Sequence, residues 1–191
     1  MTSILVASLL LALPPPPRNT APAQQASPQQ PAQEQLTDEE IRERIDTFLR
    51  TIDTRISPEQ WRALGPRGAA VLEQIAQDPK LFPTRRAKAV TGLSAIGSPS
   101  SSAVLLALAG SPQAPLTVRL AAVHGAADVV PSAQLATALK PVLEGAENPH
   151  VRAAAAEVLS RHGGCGLVRA QARREDDQLR LERALQSCDQ Q

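Results

Sequence analysis

From Leu36 onward, apolar residues recur three and four positions apart and nowhere settle into sustained alternation. That period belongs to amphipathic helices rather than to strands. Prolines punctuate the pattern at Pro58, Pro66, Pro83, Pro99, Pro115, Pro131 and Pro149, each ahead of roughly ten helix-favouring residues. A first turn loses nothing when an N–H is missing, so these prolines read as helix starts. The opening helix carries its own signal: Thr37-Asp38-Glu39-Glu40 matches a capping box, followed by Ile41, Ile45, Phe48, Leu49 and Ile52 on one face. The pattern predicts ten helices and no sheet, an all-α chain. Pro141, inside the helix expected from Pro131 to Glu144, predicts a kink or an early break.

The same pattern repeats. Arg86-Ala87-Lys88-Ala89-Val90 aligns with Arg119-Leu120-Ala121-Ala122-Val123 and with Arg152-Ala153-Ala154-Ala155-Ala156, and the step from Arg86 to Arg119 equals the step from Arg119 to Arg152. This register carries Leu93, Ala126 and Leu159 into equivalent places and makes Arg86, Arg119 and Arg152 a set of structural register arginines. Between them, Val71-Leu72 with Ile75-Ala76 recurs at the same displacement as Val104-Leu105 with Leu108-Ala109, and once more, slipped by one residue, as Ala138-Leu139 with Val142-Leu143. A weaker copy begins at Arg180-Leu181-Glu182-Arg183-Ala184. Each two-helix unit is too small to bury its own apolar face and must stack on the next. Ala89, Ala122 and Ala155 let helix axes approach closely, while Val90, Val123 and the leucines fill the space between layers.

Leu116-Thr117-Val118-Arg119-Leu120-Ala121-Ala122-Val123 and Asn148-Pro149-His150-Val151-Arg152-Ala153-Ala154-Ala155 carry a resemblance to HEAT repeats, particularly the short form first associated with phycobilisome linker lyases. It covers about Pro58 to Cys188. The resemblance implies a right-handed α-solenoid of HEAT/armadillo-type helix pairs, about four repeats over 58–191, behind a capping helix over 36–57. In that family an acidic residue shortly before the arginine commonly helps to bridge repeats. Glu147 fits for Arg152, Asp78 lies further from Arg86, and nothing acidic precedes Arg119, which argues against a continuous charge ladder while leaving the stacking untouched. Solenoids generally bind through side chains along their inner helices. In this register those lie near Glu73, Gln77, Gln134, Thr137, Lys140, Glu144 and Arg173, the candidate partner-contact face. The function expected is a non-catalytic scaffold, a monomer that binds another protein. The alternatives are a lyase-type or metal-dependent enzyme, since relatives by repeat type include chromophore lyases and a hydroxylase with paired iron-holding His and Glu, or an envelope-tethered structural or assembly factor. No repeated His-Glu pair occurs in this chain.

Ahead of the helices, Ile4 to Leu13 reads ILVASLLLAL, too short for a bilayer span of about 20 residues but of the length of a signal-peptide core. No Lys or Arg precedes it, and the small-x-small pattern comes only at Ala21-Pro22-Ala23. Residues 1–13 thus read as a signal peptide or N-terminal membrane anchor, with a disordered tail of a cytoplasmic protein as the alternative. Residues 14–35, built from Pro, Gln, Ala and Ser, read as an extended disordered linker. The expected location is outside the cytoplasm, periplasmic or secreted.

The two cysteines fit that compartment. Cys165 opens a short helix expected over Gly164 to Arg174 and Cys188 ends the next, Asp177 to Ser187; an antiparallel pair brings these points together in a disulfide. His162 with Cys165 and Cys188 offers only three ligands where a closed zinc site needs four, and a Cys165–His162 nucleophile lacks an orienting carboxylate. His124 occupies the polar slot of Thr91 and Glu157, and His150 sits in a first turn. Asp46 and Asp53 share a helix face, yet nearby Arg42, Arg50 and Arg55 explain them as ion pairs. The run Arg169 to Arg183, dense in both signs, reads as a solvated face.

Composition narrows the field further. With 20 Lys and Arg against 19 Asp and Glu, a net charge of +1, and two Phe, one Trp and no Tyr, the chain has neither the field nor the stacking surface for nucleic acid. No glycine-rich phosphate cradle, nucleophile elbow, HExxH or paired CxxC occurs, and neither catalytic residues nor a cofactor or metal is expected.

Overall fold

The computed structural model describes residues 36–51, 54–174 and 178–190, all within one unit, Leu36–Gln191. The segments read as leader and linker, 1–13 and 14–35, lie outside the described residues. Ten α-helices and no strand occur among the described residues: α1 (Asp38–Arg50), α2 (Pro58–Arg62), α3 (Gly65–Gln77), α4 (Pro83–Ile96), α5 (Ser101–Gly110), α6 (Leu116–Val129), α7 (Ser132–Gly145), α8 (Pro149–Arg161), α9 (Cys165–Ala172) and α10 (Glu182–Asp189). The capping box ahead of α1 closes as its residue types dictate: the Glu40 N–H donates to the Thr37 hydroxyl at 3.2 Å, and the Thr37 backbone N–H donates to the Glu40 carboxylate at 2.7 Å. The Thr37 backbone and hydroxyl donors hold the Glu40 carboxyl below its ordinary value.

The helices pack in two rows. α3 lies against α4, α5 against α6, α7 against α8, and α9 against α10. Along one row α2, α4, α6, α8 and α10 follow one another in close contact; along the other, α1, α3, α5, α7 and α9 touch more sparingly. The core follows the register of the sequence. Ala89, Ala122 and Ala155, then Val90, Val123 and Ala156, then Leu93, Ala126 and Leu159 are each wholly buried, as are Leu72, Leu105 and Leu139 from the facing row.

Two glycines explain how near the α4 row comes to itself. A methyl group at Gly125 of α6 would stand 2.9 Å from the Ser94 Cβ of α4, and one at Gly92 of α4 would stand 2.6 Å from the Trp61 ring of α2. Trp61 and Phe48, at a centroid distance of 5.1 Å and edge to face, close the N-terminal end of the core.

Three local expectations are corrected. α7 does not break at Pro141 but continues to Gly145. The proline ring is exposed and only one backbone donor is missing, while buried Val142 and Leu143 anchor the last turn. α9 starts at Cys165 rather than Gly164, because Gly163 at φ +80° turns the chain and the Gly164 N–H closes the end of α8 on the Leu159 carbonyl at 2.7 Å. The final helix runs Glu182–Asp189, behind a 3₁₀ turn over Gln178–Leu181 that leaves Leu179 exposed and sends Leu181 into the core.

Candidate functional site

The register arginines have a defined task. Arg86, in the first turn of α4, is 5% exposed, and its Nε donates at 2.9 Å to the carbonyl of Ala76 near the end of α3. Arg119, in the first turn of α6, is 6% exposed, and its Nε donates at 3.3 Å to the carbonyl of Ala109 near the end of α5. Donor and acceptor have both advanced by one full period of the sequence. The last carbonyls of a helix lack partners in their own helix and carry partial negative charge, so a cation there satisfies them and offsets the dipole. Arg152 departs from this pattern: its Nη1 donates to the carbonyls of Ala146 at 2.7 Å and Glu147 at 3.0 Å, both in the connection just beyond α7.

Of the candidate contact residues, Gln134, Thr137, Lys140 and Glu144 form one exposed stripe along α7. Glu144 faces Arg174 at 3.9 Å, which brings the end of α9 and exposed Arg173 to the same edge. Glu73 and Gln77 do not join that stripe. They lie on α3, beyond α5, with Glu73 accepting from the Ser100 hydroxyl and Gln77 Nε2 donating to the Glu73 carbonyl at 3.2 Å. Between the two groups α5 presents exposed Ala103, Ala107 and Gly110 and no charged residue at all.

The sulfurs of Cys165 and Cys188 are 2.10 Å apart, a disulfide separation, with their Cα atoms at 5.6 Å. Both sulfurs are thereby engaged, leaving no thiolate for a metal or a nucleophilic step. Arg169 Nη2 supports the joint by donating to the Cys188 carbonyl and to Asp189, each at 3.1 Å. No group of His, Cys, Asp or Glu suited to a metal ion occurs among the described residues. His124 and His162 are exposed; the His150 N–H caps onto Asn148 at 2.9 Å and its Nε2 lies 3.4 Å from Arg180 Nη1. Asp46 pairs with Arg50 at 2.7 Å and Arg85 at 2.5 Å, a structural clamp between α1 and α4; Asp53 lies outside the described residues. No described helix is long and apolar enough to cross a membrane.

Sequence reasoning missed Gly92 and Gly125, although their separation equals that of Arg86 and Arg119 and was a usable sign that a side chain is forbidden at that slot. It also missed the grooves between the ends of α3, α5 and α7, which no linear pattern announces. Comparison with family models, curated proteins and solved structures finds no match to this chain.

Proposed function

We propose that this chain is a HEAT-type scaffold: a right-handed α-solenoid of about four helix pairs that binds another protein and performs no catalysis of its own. The observation that carries the reading is the arginine-to-carbonyl bond from Arg86 to Ala76, used again one period later from Arg119 to Ala109 with the same donor atom. A unit that reproduces both its buried contacts and its capping bond at a fixed period gains its stability from its neighbours. Export as a monomer, with 1–13 as leader or tether, accords with the paired cysteines of the last helix pair, since such bonds persist in oxidising compartments.

The partner surface in this reading is the α7 stripe with Arg173. Reversing two of its charges, Lys140→Glu with Glu144→Lys, is expected to reduce affinity capture of the partner several-fold while leaving the thermal transition in place. Both side chains are exposed, and the ion pair lost with Arg174 is a weak surface one. Quantitative comparison of proteins captured by the parent and the variant checks this. An identical captured set at equal yield removes the α7 face from the account.

A further inference from the structure

A groove lies between the C-terminal ends of α3 and α5, lined by Gln77, Pro79, Ala107, Leu108 and Gln113, with Arg86 in its wall. The Arg86 side chain is spent only in part. Its Nε is committed to the Ala76 carbonyl, but among the described residues neither terminal nitrogen has a hydrogen-bond or ion-pair partner, although the residue is only 5% exposed. A guanidinium is built for two parallel donor bonds to one carboxylate. The acid nearest in sequence does not supply it: Asp78 instead accepts from the Lys80 N–H at 2.9 Å. The end of α3, which carries about half a negative charge, offsets only part of the guanidinium, and no acidic residue lines the groove.

One repeat further on, the equivalent groove between α5 and α7 is apolar, lined by Leu106, Gly110, Ala138, Pro141 and Val142. Neighbouring helices of a row stand about 10 Å apart, which an extended chain crosses in about three residues.

We infer that the α3–α5 groove receives an acidic side chain from an extended segment of a partner protein, held by the terminal nitrogens of Arg86, while the α5–α7 groove takes an aliphatic side chain about three residues along that segment. This deepens the scaffold reading and rests on it. Charge complementarity selects the acid, the apolar lining selects the aliphatic residue, and the bare face of Ala103 and Ala107 lets the connecting backbone lie close to α5.

The test pans a displayed random dodecapeptide library, fused at its C-terminus so that side chains supply the only carboxylates, against the full chain. Enriched sequences are expected to carry Asp or Glu with an aliphatic residue about three positions away in a constant direction. Synthetic peptides of the enriched sequence are expected to bind about tenfold more weakly to Ala107→Glu, which places a resident carboxylate beside Arg86, and to Arg86→Gln, which keeps a donor for Ala76. His124→Glu, exposed on α6 in the other row and lining neither groove, is expected to leave binding within about twofold. Because Ala107 is exposed, that variant reports on the groove even where Arg86→Gln weakens the fold. Absence of acidic enrichment overturns the groove assignment, as does acidic binding unaffected by Ala107→Glu. If non-acidic peptides are selected and lost on reversing Lys140 and Glu144, the groove fails while the scaffold reading stands.

Discussion

Replacing Cys165 and Cys188 together by serine is expected to lower stability by about 3 kcal/mol and the melting temperature by about 10 °C. The bond joins residues at a sequence separation of 23, for which the entropy removed from the unfolded chain is worth about that much at room temperature. Its position makes the loss felt. α10 packs on α8 and α9, and the bond ties α9 to it. Arg169 and its two bonds to Cys188 and Asp189 do not replace the link, because the first is only part-buried and the second is an exposed ion pair. Thermal unfolding of the double variant, beside the parent with and without reductant, reads the effect. The reduced parent and the variant are expected to coincide; melting of all three at one temperature would remove the staple from the account.

The second large effect falls on Arg119. Arg119→Ala is expected to cost about 3 kcal/mol and Arg119→Met about 2 kcal/mol, measured by urea unfolding. Alanine loses both the packing of the buried stem and the donor to the Ala109 carbonyl; methionine keeps most of the packing and loses only the charged donor. An opposing term exists, since removing a cation that is 6% exposed relieves its desolvation. We expect the bond to win, because without it the end of α5 is left with a buried carbonyl facing no donor. A methionine variant as stable as the parent would mean that desolvation cancels the bond and that the arginine register has some purpose other than capping.

How far the sequence could be read depended on whether a feature was periodic. Helix starts were legible because prolines and the Thr37–Glu40 box act through neighbours a few residues away. Burial of Ala89, Ala122 and Ala155 was legible because a slot that returns with every repeat points the same way each time. The early break offered at Pro141 did not occur, since a proline on an exposed face forfeits one bond whereas one at the core would also displace packed side chains. The C-terminal helix bounds were misplaced because the 3₁₀ turn is set by where Leu181 must be buried, a tertiary demand with no local signal. The contact residues divided into two groups for the same reason. Glu73 and Gln77 share a repeat position class with the α7 residues, but the intervening α5 carries no polar residue there to make the surface continuous.

The central claim is that successive helix pairs are interchangeable units stabilised by lying side by side, and removing one whole period tests it most directly. Deletion of residues 99–131, one full period, joins Ser98 to Ser132, so that α7 follows α4 at the spacing at which it now follows α6. The account predicts undiminished helicity per residue and a single cooperative urea transition at lower stability, with a slope reduced in proportion to the shorter chain. A shortened chain that keeps helix but unfolds without a cooperative transition would contradict it, because the pairs would then belong to one indivisible core.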